Sequence, residues 1–367
     1  MYSGLMAKKQ DIGSRLKRIF TGAEFDKAII INTGSKDSNF LYLSGFTSGV
    51  FEDSVLIADK KGMTLLTSVL EYDTAIEQAP NSMEVKCVSS GKEQWNEIKK
   101  EIGKDTVGID YGFLPYGYAM ALKKNIPGAT FKDATERFAD AREIKDGYEI
   151  SLMKKAVSIT KESLREIPAY FKDNMTEKEL RARFEFLMGE KGGEGLAFDS
   201  IVSFGQNAAL PHHMPDETKL KANEFVLLDV GARYQNYCAD VTRTFLFKPD
   251  KSTMKYKRME AIIDTVKEAQ ALGLSYVKDG ADGMTAHTEV SKFIDSARNG
   301  IYKGRFIHSL GHQVGIDVHD GTGLTTRSKV LKKGMVVSDE PGIYITGFGG
   351  ARFEDDVLVG KGRSSFL

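Results

Sequence analysis

Phe225-Val-Leu-Leu-Asp-Val-Gly-Ala-Arg-Tyr-Gln-Asn-Tyr-Cys-Ala-Asp-Val-Thr-Arg-Thr-Phe-Leu-Phe247 reads as two strands, Phe225 to Tyr234 and Tyr237 to Phe247. Only Gln235 and Asn236 separate them, which predicts a tight antiparallel hairpin. Asp229 lies inside the apolar first strand, where a lone ionised group is costly to bury. The second strand brings Asp240, and the two-residue connection is expected to set both carboxylates opposite each other on one face. Adjacent carboxylates repel. Either one stays protonated or a divalent cation neutralises the pair, and oxygen ligands of this kind suit manganese, magnesium, cobalt or zinc. The plain alternative is an exposed acidic hairpin.

Upstream of the hairpin, Thr176 with Glu179 makes a capping box for a helix over Glu177 to Lys191. Downstream, the cap Ser-Thr pair at Ser252 opens a helical pattern to about Tyr276, and another runs from Met284 to Arg298. Helices combined with antiparallel strands predict an α+β domain. Before it, short apolar runs of strand length at Lys27–Asn32, Val55–Lys60, Met63–Ser68, Glu84–Ser89 and Thr106–Asp110 alternate with helical spacing at Leu70–Ala79, Gln94–Ile102 and Tyr118–Ile126. That is a smaller α/β domain over residues 1–140. A charged amphipathic stretch, Arg142 to Ile167, opens the second domain, residues 141–367.

The 367 residues have room for two such cores, and 51 basic side chains balance 51 acidic ones. With no net charge and no basic patch, nothing draws the chain to nucleic acid or to an anionic membrane. Met1 to Gln10 carries lysines without a following apolar run, and no stretch has the length of a membrane span, so the cytoplasm is the expected location. Cys87 and Cys238 lie too far apart to build a thiolate cage. Any metal must be held by oxygen and imidazole.

Five of the six histidines fall in two segments, His212 and His213 in Leu-Pro-His-His, and His308, His312 and His319 in His-Ser-Leu-Gly-His-Gln-Val-Gly-Ile-Asp-Val-His. Such crowding among glycines and apolar residues indicates an enclosed site. Glu340 in Met-Val-Val-Ser-Asp-Glu-Pro-Gly-Ile-Tyr and Glu354 in Ala-Arg-Phe-Glu-Asp-Asp repeat the anomaly of a carboxylate in a strand-like run. Four carboxylates against two divalent ions sum to zero charge, which favours a dinuclear site. Asp339, beside Glu340, is expected to face the other way.

The five motifs around Asp229, Asp240, His312, Glu340 and Glu354, in this order, resemble the creatinase, aminopeptidase P and prolidase group. The likeness extends to Arg142-Glu-Ile-Lys-Asp-Gly-Tyr-Glu-Ile and to Asn39-Phe-Leu-Tyr-Leu-Ser-Gly-Phe. The resemblance implies a pita-bread metallopeptidase domain preceded by a creatinase-like α/β domain. It implies Asp229 as a bidentate ligand of one metal, Asp240 and Glu354 as bridging carboxylates, and His312 and Glu340 as ligands of the other. His212 and His319 are similar to histidines that contact substrate and stabilise the intermediate; His213 could hold the first of these roles. Arg352 is similar to an arginine that supports catalysis, and His308 matches a histidine near the site.

The expected reaction is hydrolysis of the bond between an N-terminal residue and proline, with two divalent metal ions, manganese ahead of cobalt or zinc. The tertiary X-Pro amide has no N–H for an enzyme to grip. An Xaa-Pro dipeptide is the expected substrate and a longer peptide the alternative. A metal-free creatinase-like hydrolase and a binding protein on the same fold are the remaining readings. Relatives of this kind commonly pair, so a homodimer is expected, with Asn39 to Phe46 as a loop-and-strand segment facing the partner or else buried in its own domain.

Overall fold

The computed structural model describes residues 11–34 and 37–367; the lysine-bearing segment Met1–Gln10 lies outside them. The chain divides into two compact units, the first ending at Glu143 and the second spanning Ile144–Leu367. Among the described residues no helix is long and apolar enough to cross a membrane.

The first unit runs α1 (Ile12–Phe20), β1 (Lys27–Ile31), α2 (Ser38–Ser44), β2 (Val55–Ala58), β3 (Met63–Thr67), α3 (Val69–Gln78), β4 (Met83–Cys87), α4 (Gly91–Ile102), β5 (Thr106–Ile109), α5 (Tyr116–Asn125), β6 (Thr130–Asp133) and α6 (Thr135–Glu143). Its six strands form one mixed sheet in the order β4-β3-β2-β1-β5-β6. The expected α/β alternation is present, with α1, α2 and β6 added to it. Asn39–Phe46 is corrected: it is not a loop and strand presented to a second copy but helix α2 and its exit, buried within its own unit. Asp37 starts the helix by accepting the N–H groups of Asn39 and Phe40, Gly45 ends it in a left-handed conformation, and Phe40 and Phe46 pack with Phe51.

The second unit opens with α7 (Gly147–Glu166), capped by an Asp146–Glu149 box, so the single stretch read over Arg142–Ile167 is broken between Glu143 and Gly147. Helix α8 (Glu177–Glu190) carries the Thr176–Glu179 capping box expected of it. There follow β7 (Gly195–Leu196), β8 (Ile201–Phe204), β9 (Glu224–Val230), β10 (Ala232–Tyr234), β11 (Tyr237–Cys238), β12 (Val241–Phe247), α9 (Met254–Tyr276) and α10 (Gly283–Gly300), the last interrupted at Ala297–Asn299. Strands β13 (Val336–Asp339), β14 (Gly342–Ile345), β15 (Gly349–Arg352), β16 (Asp355–Leu358) and β17 (Ser365–Phe366) complete it.

Strand β9 lies between β8 and β12 and is buried on both faces, hence its unbroken apolar run. Phe225 and Leu227 join the core built with α9 and α10, whereas Val226, Leu228 and Val230 join the core built with α7 and α8. Asp229 has the parity of Phe225 and Leu227. The hairpin turns at Gln235 and Asn236, both with positive φ, as a two-residue turn requires. Its register pairs Asp229 with Thr242, so Asp229 and Asp240 are diagonal neighbours rather than directly opposite. Between them the strands pinch, and a Cβ on Gly231 would stand 1.9 Å from the Ala239 carbonyl oxygen.

Candidate metal centre

Five separated segments deliver the five candidate ligands to one pocket of about 450 Å³ in the second unit. Asp229 comes from β9, Asp240 from the break before β12, and His312 from the chain after α10. Glu340 and Glu354 stand just outside β13 and β15, in the breaks that follow these strands, where a side chain is free of the pleat. His212, His308, His319 and Arg352 line the same pocket, with apolar surface from Phe198, Ile201 and Val318.

His312 is seated by backbone. Its N–H donates to Ser338 Oγ at 3.0 Å, and Gly323 passes so close that a Cβ there would lie 2.2 Å from the His312 Cα. Its Nε2 is 3.4 Å from Asp240 Oδ2 and 3.6 Å from Glu340 Oε1. Asp240, His312 and Glu354 each offer a ligand atom within 4.8 Å of the others. Burial pushes the Asp240 carboxyl well above its ordinary range, reinforced by Asp229, Asp356 and Glu340. Burial and then Asp240 do the same to Glu354, and burial raises Glu340 to about 6 against the opposing pull of His312 and Arg352.

A single guanidinium is set among these acids. Arg352, fully enclosed, donates through Nη2 to Asp229 Oδ2, through Nη1 to Tyr344 Oη at 2.7 Å and through Nε to Thr242 Oγ1 at 3.1 Å. Thr242 in turn donates to Glu354 Oε2 at 2.5 Å. Yet Oδ1 of Asp229 and Oδ1 of Asp240 are buried with no hydrogen-bond partner among the described residues. Four carboxylates and one imidazole, with two of the carboxylate oxygens buried and partnerless, form a hard donor set that divalent cations fit.

The histidines divide by surroundings. Burial followed by the Arg352 charge pushes His308 down to about 4, so it is neutral at pH 7; its Nδ1–H donates to the Ser309 carbonyl at 2.8 Å and its Nε2 accepts from Tyr344 Oη at 2.8 Å. His319 lies with its ring 4.0 Å from that of His312, at the open side of the pocket. Of the doubled pair, His212 lines the pocket, while Nε2 of His213 is 2.7 Å from Glu177 Oε2 on α8. Asp339 faces α9, against Gly273, and takes no part in the pocket lining.

Sequence reasoning missed Thr242, Tyr344 and Glu177. The first two sit inside motifs already singled out, Asp-Val-Thr-Arg and Pro-Gly-Ile-Tyr, where the only signal was proximity to a carboxylate. Glu177 looked like an ordinary first-turn acid. A second trio, Glu177, His213 and Asp216, also brings ligand atoms together, but N–H donors fill the lone pairs of Glu177 and leave no face for a cation.

Residues 151–361 match the model of metallopeptidase family M24, and residues 14–144 match the creatinase/prolidase N-terminal domain. A protein of Pyrococcus horikoshii named Xaa-Pro dipeptidase is 33% identical over 340 residues, which is 91% of each chain. Among solved structures, an Xaa-Pro dipeptidase from Bacillus anthracis superposes with a TM-score of 0.85 at 30% identity, over 97% of this chain and 96% of that one. An X-Pro aminopeptidase from Thermotoga maritima gives a TM-score of 0.85 at 29% identity, over 93% and 95%. The α+β pita-bread fold behind a creatinase-like domain, implied by the motifs, is thus the fold of this protein, and its kind of site works with divalent metal ions. From the order of its motifs to the likeness over both units, the chain belongs to metallopeptidase family M24.

Proposed function

We propose that this protein hydrolyses the peptide bond between an N-terminal residue and proline, with an Xaa-Pro dipeptide as its substrate. The observation that carries the reading is the convergence of Asp229, Asp240, His312, Glu340 and Glu354 on the floor of a pocket walled by His212, His308 and His319. The relatives named Xaa-Pro dipeptidase support the substrate class. The five side chains would hold two divalent ions, manganese ahead of cobalt or zinc. Such a pair, when bound, supplies activated water near neutral pH and a polarised carbonyl.

The chain's own groups do the rest. Glu340 would accept a proton at its carboxylate and return it to the departing proline nitrogen, which must be protonated as the bond breaks. His319 and His212, at the open side, would hydrogen-bond the developing oxyanion and hold the substrate. Arg352 would keep Asp229 and, through Thr242, Glu354 in place. His308 would set the Tyr344 hydroxyl. Phe198, Ile201 and Val318 would exclude water around the proline ring.

The creatinase-like reading is metal-free and has no use for four converging acids, and a mere binding module has none for the three histidines. A reading as an Xaa-Pro aminopeptidase is favoured by the Thermotoga maritima neighbour. The test is metal analysis together with cleavage of an Xaa-Pro dipeptide and of the same sequence extended by two residues. Two metals per chain with preference for the dipeptide are expected; preference for the extended peptide overturns the dipeptidase reading, and no cleavage of either overturns the function. Cytoplasmic location and a homodimer belong to the same proposal. With Asn39–Phe46 buried in its own unit, that segment gives the dimer no support, and the mass by light scattering at micromolar concentration decides it.

A further inference from the structure

His212 has a place in the pocket wall but, among the described residues, no hydrogen bond of its own that would hold it there. It is exposed, between Pro211 and His213, in the long connection from β8 to β9. A histidine that must meet a substrate from a connection of this length needs an anchor nearby.

That anchor is on the first residue of α8. The Glu177 side chain is completely buried, and its two oxygens collect four donors. Oε1 accepts from the Phe204 N–H at 2.7 Å, where β8 ends, and from Asn207 Nδ2 at 2.9 Å. Oε2 accepts from the Asp216 N–H at 3.0 Å and faces His213 Nε2 at 2.7 Å. The backbone adds to this: the Glu177 N–H donates to the Thr218 carbonyl at 3.2 Å. One carboxylate therefore pins positions 204, 207, 213 and 216 of the connection to the start of a helix whose Thr176 capping box fixes its first turn. His212 is the residue next to a pinned one.

We infer that Glu177 and His213 form a positioning latch for His212, acting on turnover only through the placement of that one histidine. The inference rests on the proposed role of His212 in the reaction. Neither latch residue touches the pocket, and a bond between charged or polar partners this enclosed resists displacement by water. The doubled histidine of Leu-Pro-His-His thus divides the work: the first reaches the substrate, the second is tied down.

The test is a double-mutant cycle on the metal-loaded full-length enzyme. His212→Ala, His213→Ala and His212→Ala/His213→Ala are compared for kcat and KM, with metal content and melting recorded; His213→Gln, which keeps a side-chain N–H donor, is the conservative rescue. His213 makes fewer of the latch's bonds than Glu177, whose oxygens hold four donors, so its variants carry less folding risk than Glu177→Gln, which serves as a second probe. His213→Ala is expected to lower kcat ~10-fold or more with metal content unchanged, since small misplacements of a reacting group have effects of this size. His213→Gln should recover most of that loss. The double variant should be no slower than His212→Ala alone, because a latch has nothing left to place. Losses that multiply in the double variant would overturn the latch while leaving the role of His212 intact. A His212→Ala enzyme with unchanged kinetics would instead remove the role of His212, and the latch with it.

Discussion

Replacing Arg352 by methionine tests whether the guanidinium is the counter-charge on which the acidic cluster depends. Methionine keeps comparable length and apolar volume but takes away every donor. The Asp229 carboxylate then loses its charged partner, and Tyr344 and Thr242 each lose a donated hydrogen bond. Because the group is enclosed, solvent cannot replace what is lost. Removing one partner from such a buried set costs about 3 to 5 kcal/mol, most of it the penalty of leaving the other charge alone. At about 2 to 4 °C per kcal/mol for a unit of this size, the second unit should melt about 6 to 20 °C lower. The assay is calorimetry of the full chain with and without divalent ion. Arg352→Lys should recover only part, since an ammonium cannot reproduce a planar fork aimed at three acceptors. A methionine variant melting within about 2 °C of the parent would refute the argument, because the guanidinium would then not be the counter-charge on which the buried acids depend.

The ligand and helper roles separate in a second pair of variants: Glu354→Gln should lose metal and nearly all turnover, whereas His319→Ala should keep its metal while kcat falls ~10²-fold, the loss expected for one oxyanion donor. Metal loss in His319→Ala would make that residue a ligand. Chelation should lower the melting temperature as well as the activity, because acids crowded at this distance repel; an identical melt after complete metal removal would contradict that. In the first unit, burial raises Asp37 to about 6, with the N–H groups of Phe40 and Asn39 opposing it, Asp110 adding to it and Arg142 opposing it. A raised acid contributes its full stability below its unfolded value of 3.8 and loses it as pH climbs through about 6. Asp37→Asn keeps an acceptor for the helix cap and has nothing to ionise, so its stability relative to the parent should rise by up to about 3 kcal/mol between pH 4 and pH 7. A difference flat across that range, read by denaturant titration, would show that Asp37 ionises freely.

What the sequence made legible and what it hid follow from the range of the forces involved. The hairpin at Gln235–Asn236, the Thr176 capping box and the apolar periodicity of α9 are local properties, and each is present in the structure. The carboxylate motifs stand out because a carboxylate in an apolar run is anomalous wherever it stands. Their convergence is not a local property. It depends on Arg352 reaching Asp229, on the Asp240 N–H reaching Asp356 and on Thr242 reaching Glu354, contacts between segments more than a hundred residues apart in the chain. Helix α2 was misread since Asn39–Phe46 is aromatic and apolar without amphipathic spacing, the pattern of an element enclosed all round. The diagonal offset of Asp229 and Asp240 was available from counting outward from the turn. Glu177 gave no signal at all, because a glutamate at the first position of a helix is ordinarily exposed and serves the helix dipole.

The acids are handed to the pocket in a fixed temporal order during synthesis. Asp229 and Asp240 arrive together on a hairpin that can form as soon as it is made, since its contacts are short in sequence. The arginine that answers Asp229, and the glutamate bridged to it through Thr242, come more than a hundred residues later. At elongation rates of about 5 to 20 residues per second, the early pair therefore waits several seconds without its guanidinium. For that interval the face that carries Phe225, Leu227 and Asp229 can associate only by taking a carboxylate under with it, whereas Val226, Leu228 and Val230 face the core built with α7 and α8, helices that are already made. One face of the hairpin is therefore free to pack from the start, and the other waits for the last strands to bring its counter-charge.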